Sequence, residues 1–223
     1  MKIAENKILS EFYKTLPLEH TAQLFELNSP ELIQNYLDKM PYIAEDRDRS
    51  PLNVVLDQQC HCLDGGLFAA LSLWRIGFSP LLIDLVPEPG LDDDHVLAIF
   101  KADGRWGAVA KSNYVNLGYR DPIYKTLREL VLTYFEHYFN NERIKTLRGY
   151  TRPLNLENYS NLKWAVNEID TNKFYYSYFY GRKFIPIIDD VNPKNINLIS
   201  DRSYQAETLF TDLNWSFGIR SEH

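Results

Sequence analysis

The most constraining feature of this 223-residue chain is an apolar run, LFAALSLWRI (residues 67–76), that closely follows two cysteines. An apolar run of this length, with a single charge, predicts a buried helix. Gly77 ends the helix as a C-terminal cap, and Pro80 lies just beyond it. Cys62 therefore stands at the start of the most apolar helix, and the rest of the fold must cover that helix.

The segments around this helix predict a sheet and further helices. LLIDLV (residues 81–86) is suited to a buried strand, and HVLAIF and RWGAVA flank KADG, which predicts a β-hairpin with an Asp-Gly turn. Upstream, the first 57 residues have a polar, helical pattern in which Ser29 is an N-cap and Pro30 the first helical residue. This order of elements predicts the α+β fold class.

The second half of the chain is less regular. A helical pattern runs over residues 122–139, and residues 146–223 mix aromatic clusters such as FYYSYFY with polar loops. We expect residues 1–145 to form the core with a helical N-terminal segment, and residues 146–223 to pack on it as an extension without independent folding. Its aromatic surface should shape or cover a cleft. The charged run EDRDRSP (residues 45–51) should be a solvated connector.

Composition and charge argue against several classes of function. The formal net charge is −6 and there is no Lys/Arg block, so we expect no binding to nucleic acid. No stretch approaches the roughly 20 apolar residues of a membrane span, and the N-terminus lacks the apolar run of a secretory signal. A disulfide between Cys60 and Cys62 would be strained. We therefore expect a reduced, cytoplasmic protein; its oligomeric state stays open.

Cys62 and His95 are the candidate reactive residues. A helix N-terminus lowers the pKa of a thiol, and Gly65 and Gly66 should leave room beside the sulfur for a substrate backbone. His95 begins a strand after three aspartates and could take a proton from a thiol and return it. The alternatives are a cysteine buried near a turn and a histidine without a partner at a strand end.

Taken together, these residues resemble the core of the transglutaminase-like superfamily, which has the papain-like cysteine-enzyme fold. The matching features, in order and spacing, are Cys62, Asp64, the helix from Leu67, Gly77, the strand LLIDLV, His95 and Trp106. The spacing from the cysteine to Gly77 selects Cys62 over Cys60 as the nucleophile. The resemblance covers about residues 58–113, and motifs such as CHCLDGG and DDDHV suggest a bacterial subgroup of this superfamily.

The third member of the site departs from the family pattern. The expected aspartate position holds Ala110. A two-residue hairpin turn would place Ser112 opposite His95, and a three-residue turn would place Asn113 there. Asn113 is chemically the better choice, because its amide oxygen can accept a hydrogen bond from an imidazole N–H and orient the ring. Asp121 is a further candidate for this position, and it is charged.

The resemblance implies a cysteine-dependent peptidase, amidase or acyltransferase with Cys62 as nucleophile, His95 as general base and acid, and Asn113 as orienting residue. Its substrate would be a peptide, a protein or another amide. We expect no cofactor and no metal, because CHC (residues 60–62) lacks the separated ligands that zinc requires. The acidic loop at residues 92–94 should either be exposed to solvent, or bind a cation or favour a cationic substrate. The alternative function is a catalytically inactive scaffold of the same fold that binds a protein or peptide.

Overall fold

The computed structural model describes residues 6–182, 184–188 and 195–208. Its strands are β1 (Leu81–Pro87), β2 (His95–Ala102), β3 (Arg105–Val109), β4 (Arg120–Tyr124), β5 (Leu147–Thr151), β6 (Leu154–Asn155) and β7 (Phe184–Pro186). Its α-helices are α1 (Lys7–Thr15), α2 (Leu18–Glu26), α3 (Pro30–Asp38), α4 (Pro51–Asp57), α5 (Cys62–Arg75), α6 (Leu127–Phe135), α7 (Glu168–Phe174) and α8 (Asp201–Glu207). In this part of the chain, no helix is both long and apolar enough to cross a bilayer.

The strands form one antiparallel sheet in the order β4-β3-β2-β1-β5-β7, and β6 pairs with the start of β1. The predicted α+β class is confirmed. The N-terminal helices also follow the prediction: Ser29 Oγ accepts a hydrogen bond from Leu32 N–H, and Pro30 begins α3. Ile33 and Leu37 bury the inner face of α3.

The sheet separates two apolar cores. Val96, Ala98 and Phe100 of β2 belong to the core that contains α5, whereas Leu97 and Ile99 belong to the core on the α6 side. Alternate residues of a strand point to opposite faces of the sheet, so both faces of β2 are covered. The most apolar helix thus packs on the centre of the sheet.

The predicted hairpin is confirmed, with a two-residue turn. Asp103 (φ 48°) and Gly104 (φ 76°) both have positive φ, as this turn requires, and Ala102 pairs with Arg105. In this register Ser112, rather than Asn113, would continue opposite His95. The β2–β3 pairing ends before that point, with Ala98 opposite Val109.

The prediction of a helix over residues 122–139 is wrong at both of its ends. Pro122 and Ile123 lie in β4 at the edge of the sheet, where a proline costs no ladder hydrogen bond. α6 begins only after Thr126, whose Oγ1 accepts a hydrogen bond from Glu129 N–H, and it ends at Phe135. The helical spacing of apolar residues continued through the strand and hid this boundary.

The charged run at residues 45–51 is a solvated connector only in its first part, because residues 45–47 are exposed whereas Arg49 and Ser50 are buried. Arg49 is 1% exposed; its guanidinium pairs with Glu45, and its Nε lies 2.9 Å from Asp57 Oδ2. Its backbone N–H donates to Asp64 Oδ1 over 2.7 Å. These carboxylates therefore neutralise the buried Arg49, which ties the loop to the start of α5.

The chain after residue 145 contributes to both the sheet and the core. β5 lies beside β1, and Phe174 and Phe179 are buried in the core that contains α5. A π-helical turn, Tyr175–Phe179, follows α7 directly. The aromatic segment packs on the core, as predicted from its surface. The last part of the predicted extension, residues 209–223, lies outside the described residues.

Candidate functional site

The start of α5 is held by a reciprocal capping box. His61 is the N-cap, and its Nδ1 accepts a hydrogen bond from Leu63 N–H over 3.2 Å. Asp64 Oδ2 accepts from His61 N–H over 3.3 Å. Cys62 is consequently the first residue of the helix, as predicted. His61 was not predicted as the cap, because histidine is not among the residue types preferred there.

The two cysteines have different surroundings. Cys60 is fully buried, and its Sγ lies 4.0 Å from Met40 Sδ. Burial raises the pKa of Cys60 to about 12, despite the nearby Lys111. Cys62 is partly exposed and lines a cleft. The CHC run therefore does not form a single site, and Cys62 is the accessible thiol.

The two glycines after Cys62 do not leave space for a substrate, contrary to the prediction. A Cβ on Gly65 would lie 2.4 Å from Lys111 Cβ, and a Cβ on Gly66 would lie 2.7 Å from Val96 Cγ1. Both positions are filled by the protein itself. The glycines allow α5 to approach the sheet closely.

The cleft beside Cys62 has a volume of about 300 Å³ and is strongly acidic. Its wall includes the carboxylates Glu45, Asp46, Asp48, Asp93 and Asp94. Among the described residues, no lysine or arginine lines it. The cleft therefore concentrates negative charge around the thiol.

Aromatic rings form another part of the wall. Tyr42, Tyr175 and Tyr176 line the cleft, and the rings of Tyr175 and Tyr176 meet edge to face with centroids 5.1 Å apart. The π-helical turn places these two tyrosines beside the cleft, and Tyr176 stays 67% exposed. The aromatic segment thus shapes the cleft, as the sequence predicted.

His61 also faces the cleft and contacts two carboxylates. Its Nε2 lies 3.4 Å from Asp48 Oδ1 and 3.3 Å from Asp64 Oδ1. Burial lowers the pKa of His61, but Asp48, the neighbouring Cys62 and Asp64 outweigh it and raise the pKa to about 10. Burial raises the pKa of Asp64 to about 7, against the effect of His61 and Arg49. Leu63 N–H can donate only to an unprotonated Nδ1, so the hydrogen bonds of this structure are those of the neutral ring, whereas the carboxylates beside Nε2 favour the charged ring.

His95 lies on the other face of the sheet. Its cross-strand partner Leu85 belongs to the α6-side core, and opposed residues share a face. Its Nε2 is 2.9 Å from the carbonyl oxygen of Leu117. Because a carbonyl only accepts, Nε2 carries the proton and Nδ1 the lone pair. Burial, and to a lesser extent Arg120, lower the pKa of His95 to about 4 against this hydrogen bond.

Cys62 and His95 approach each other only at the end of β2. Cys62 Sγ lies 4.0 Å from the carbonyl oxygen of Asp94, the residue before His95. His95 lines a smaller cavity of about 50 Å³, whose wall shares Asp93 and Asp94 with the larger cleft. In the part of the chain that the structure describes, no hydrogen bond joins Cys62 to His95. The catalytic role of His95 therefore stays a prediction.

The candidates for the third member take up different positions. Ser112 and Asn113 line the small cavity with His95, whereas Asp121 is exposed on the edge strand. Ala110, where the resemblance would place an aspartate, is buried, and its backbone N–H and carbonyl both bond the Gln34 amide. The orienting role of Asn113 stays a prediction, since the described partner of His95 Nε2 is a backbone carbonyl.

Asp48, His61 and Asp64 are also close enough to hold a metal ion, with ligand atoms within 4.8 Å of one another. Asp64, however, accepts N–H bonds on both carboxylate oxygens. Arg49 Nη1 lies 3.7 Å from Asp64 Oδ2 and brings a positive charge to the cluster. A cation would have to displace these partners, so the cluster fits an internal ion-pair network better than a metal site.

Comparisons with known proteins do not identify a family for this chain. No model of a known protein family matches the chain, and no curated protein matches it. The resemblance to the transglutaminase-like superfamily therefore rests on the motif over residues 58–113 and stays a prediction.

Proposed function

We propose that the protein is a cysteine-dependent enzyme that transfers the acyl group of an amide or peptide bond to water or to an amine. The observation that carries the proposal is the position of Cys62, which is partly exposed at the first residue of α5 in an open cleft. Cys60, two residues earlier, has the buried environment of a structural cysteine. Of the two cysteines, the partly exposed Cys62 is the one whose surroundings support the role of nucleophile.

In the proposed reaction a histidine imidazole takes the thiol proton, and the Cys62 sulfur attacks the carbonyl carbon. The C–N bond then breaks as the imidazolium gives its proton to the leaving amine nitrogen, and a thioester remains on the sulfur. Water or a second amine attacks the thioester, and its proton returns through the imidazole to the departing sulfur. In the first turn of α5, Leu63 N–H donates to His61 Nδ1 and Gly65 N–H to the His61 carbonyl. The Cys62 N–H is therefore the proposed donor to the oxyanion.

A catalytically inactive scaffold that binds a protein or peptide is the second candidate. Two observations favour it: Ala110 stands where the resemblance would place an aspartate, and no Cys62–His95 hydrogen bond exists among the described residues. Such hydrogen bonds often tighten only when substrate is bound, so the second observation carries less weight. The two candidates differ in whether Cys62 accepts an acyl group.

Acylation of the intact protein tests the proposal without knowledge of the substrate. We expect p-nitrophenyl acetate to release p-nitrophenol in a stoichiometric burst and to leave one acetyl group on Cys62, seen by mass spectrometry of the protein and its peptides. Hydroxylamine should remove this thioester.

The matched control variants are Cys62→Ser and Cys60→Ser. The first should abolish the burst and the second should retain it, since Cys60 is buried. Equal acylation of both cysteines, or a burst that survives in Cys62→Ser, would exclude the enzyme and leave the binding scaffold.

A further inference from the structure

The two histidines near Cys62 differ in what surrounds their rings. His61 lines the same cleft as the thiol, and its Nε2 faces the Asp48 and Asp64 carboxylates at 3.4 and 3.3 Å. His95 lies on the opposite face of the sheet, with Nε2 bonded to a carbonyl. A catalytic imidazole is oriented through one nitrogen by a carboxylate and presents the other to the nucleophile. His61 has this arrangement on its Nε2 side.

The Nδ1 atom of His61 is the nitrogen that faces no carboxylate in the described contacts. It accepts the N–H of Leu63, so it carries a lone pair, and the adjacent Cys62 side chain interacts with the His61 ring and raises its pKa. If Nδ1 takes the proton from Cys62, the S–H bond breaks, an N–H bond forms, and an imidazolium and a thiolate result. Leu63 N–H then loses its acceptor and becomes one more helix N-terminal donor near the negative sulfur.

The carboxylates around His61 favour its imidazolium form, and although they disfavour an isolated thiolate, the adjacent imidazolium and the N-terminus of α5 would offset that repulsion at Cys62. Asp48 comes from the loop before α4 and Asp64 from α5, while Asp94 lies across the cleft in the loop before β2. Arg49 opposes them only in part, because its guanidinium also pairs with Glu45 and Asp57. An imidazolium flanked by carboxylates is stabilised, whereas burial and, to a lesser extent, the charge of Arg120 disfavour an imidazolium at His95.

We infer that His61, rather than His95, is the imidazole that takes the Cys62 proton and holds the thiolate in the proposed acyl transfer. This inference rests on the proposed function, because it names the partner of the same nucleophile. It assigns to Asp48 and Asp64 the orientation of the ring, and to His95 a buried structural position.

The pH dependence of alkylation separates this role from the role of His61 as a helix cap. We expect Cys62 in the native protein to react with iodoacetamide at pH 6 nearly as fast as at pH 8, since a thiolate paired with an imidazolium persists at low pH. In His61→Asn the amide oxygen can still cap the helix, but the positive charge is lost. The rate at pH 6 should fall at least tenfold, with the urea midpoint retained.

His95→Gln is the matched variant, and it should leave the shape of the pH–rate profile unchanged. A profile that moves in His95→Gln and not in His61→Asn would overturn the inference while the acyl-enzyme test still stood. If the alkylation rate of His61→Asn falls by the same factor at every pH, His61 acts only as a helix cap, and the inference is overturned as well. If His61→Asn does not fold, Asp48→Asn should lower the rate at pH 6, and an unchanged profile there counts against the inference.

Discussion

At the scale of single residues, the buried imidazole of His95 makes the stability of the fold depend on pH. Burial lowers the pKa of His95 from its ordinary value of 6.5 to about 4. Between these values the unfolded chain takes up a proton that the folded protein does not, so the free energy of unfolding falls as the pH falls through this window. We expect the native protein to lose about 2 kcal/mol relative to His95→Gln between pH 7 and pH 5.

Urea denaturation of both proteins at several pH values measures this difference. Glutamine can still donate to the Leu117 carbonyl, and the comparison cancels the contributions of carboxyl groups such as Asp92, whose pKa burial raises to about 6. If the free energy of unfolding depends on pH in the same way in both proteins, His95 has a similar pKa in the folded and unfolded states. Burial then does not hold its ring neutral.

Some residues of the site could be predicted from sequence and others could not, for identifiable reasons. Cys62 could be found because its position depends on local helix signals. Arg49 and His61 could not, since their partners come from distant segments: Arg49 neutralises Asp57 and Asp64, and His61 contacts Asp48. A charged run in a sequence gives no sign of which charges will be paired inside the fold.

At the scale of elements, α5 can lie against the sheet only because two of its residues lack a side chain. We expect Gly65→Ala to destabilise the protein by about 1–3 kcal/mol, because the new methyl would meet Lys111 Cβ at 2.4 Å and push α5 away from the segment that follows β3. In an unconstrained helix the same change would stabilise by roughly 1 kcal/mol. The free energy of unfolding in urea decides between these signs.

Asn35→Ala is the control for this prediction. Asn35 is exposed within α3, so its replacement changes mainly helix propensity and should be neutral or slightly stabilising. A stabilised Gly65→Ala variant would mean that α5 does not pack as described.

The elements that could be predicted are those whose signals are local. The hairpin follows from Asp103 and Gly104, and α3 from Ser29 and Pro30. The strand β5 could not be predicted, because LRGYT carries little strand pattern and is buried only through pairing with β1 and β7. Tertiary pairing, rather than local propensity, makes it a strand.

At the scale of the whole molecule, carboxylates are concentrated in the cleft that gives access to the Cys62 thiol. The chain has a formal net charge of −6, and the cleft beside Cys62 is lined by five carboxylates and, among the described residues, no lysine or arginine. Clefts lined by charge of one sign raise the local concentration of ligands of the opposite sign. The acidic loop at residues 92–94 takes part in this cleft through Asp93 and Asp94, so it is not only a solvated surface.

We therefore expect Cys62 to react faster with a cationic reagent than with an anionic one of similar size. The measurement compares 2-(trimethylammonium)ethyl methanethiosulfonate with 2-sulfonatoethyl methanethiosulfonate, each rate divided by its rate with free cysteine. The cation should be favoured roughly tenfold at low salt, and less at high salt because exposed charges are screened. The double variant Asp46→Asn/Asp93→Asn should weaken the preference. Asp103→Asn, in the hairpin turn at the far end of β2, should keep it. Equal corrected rates in the native protein would show that the carboxylates do not act on molecules that approach the thiol.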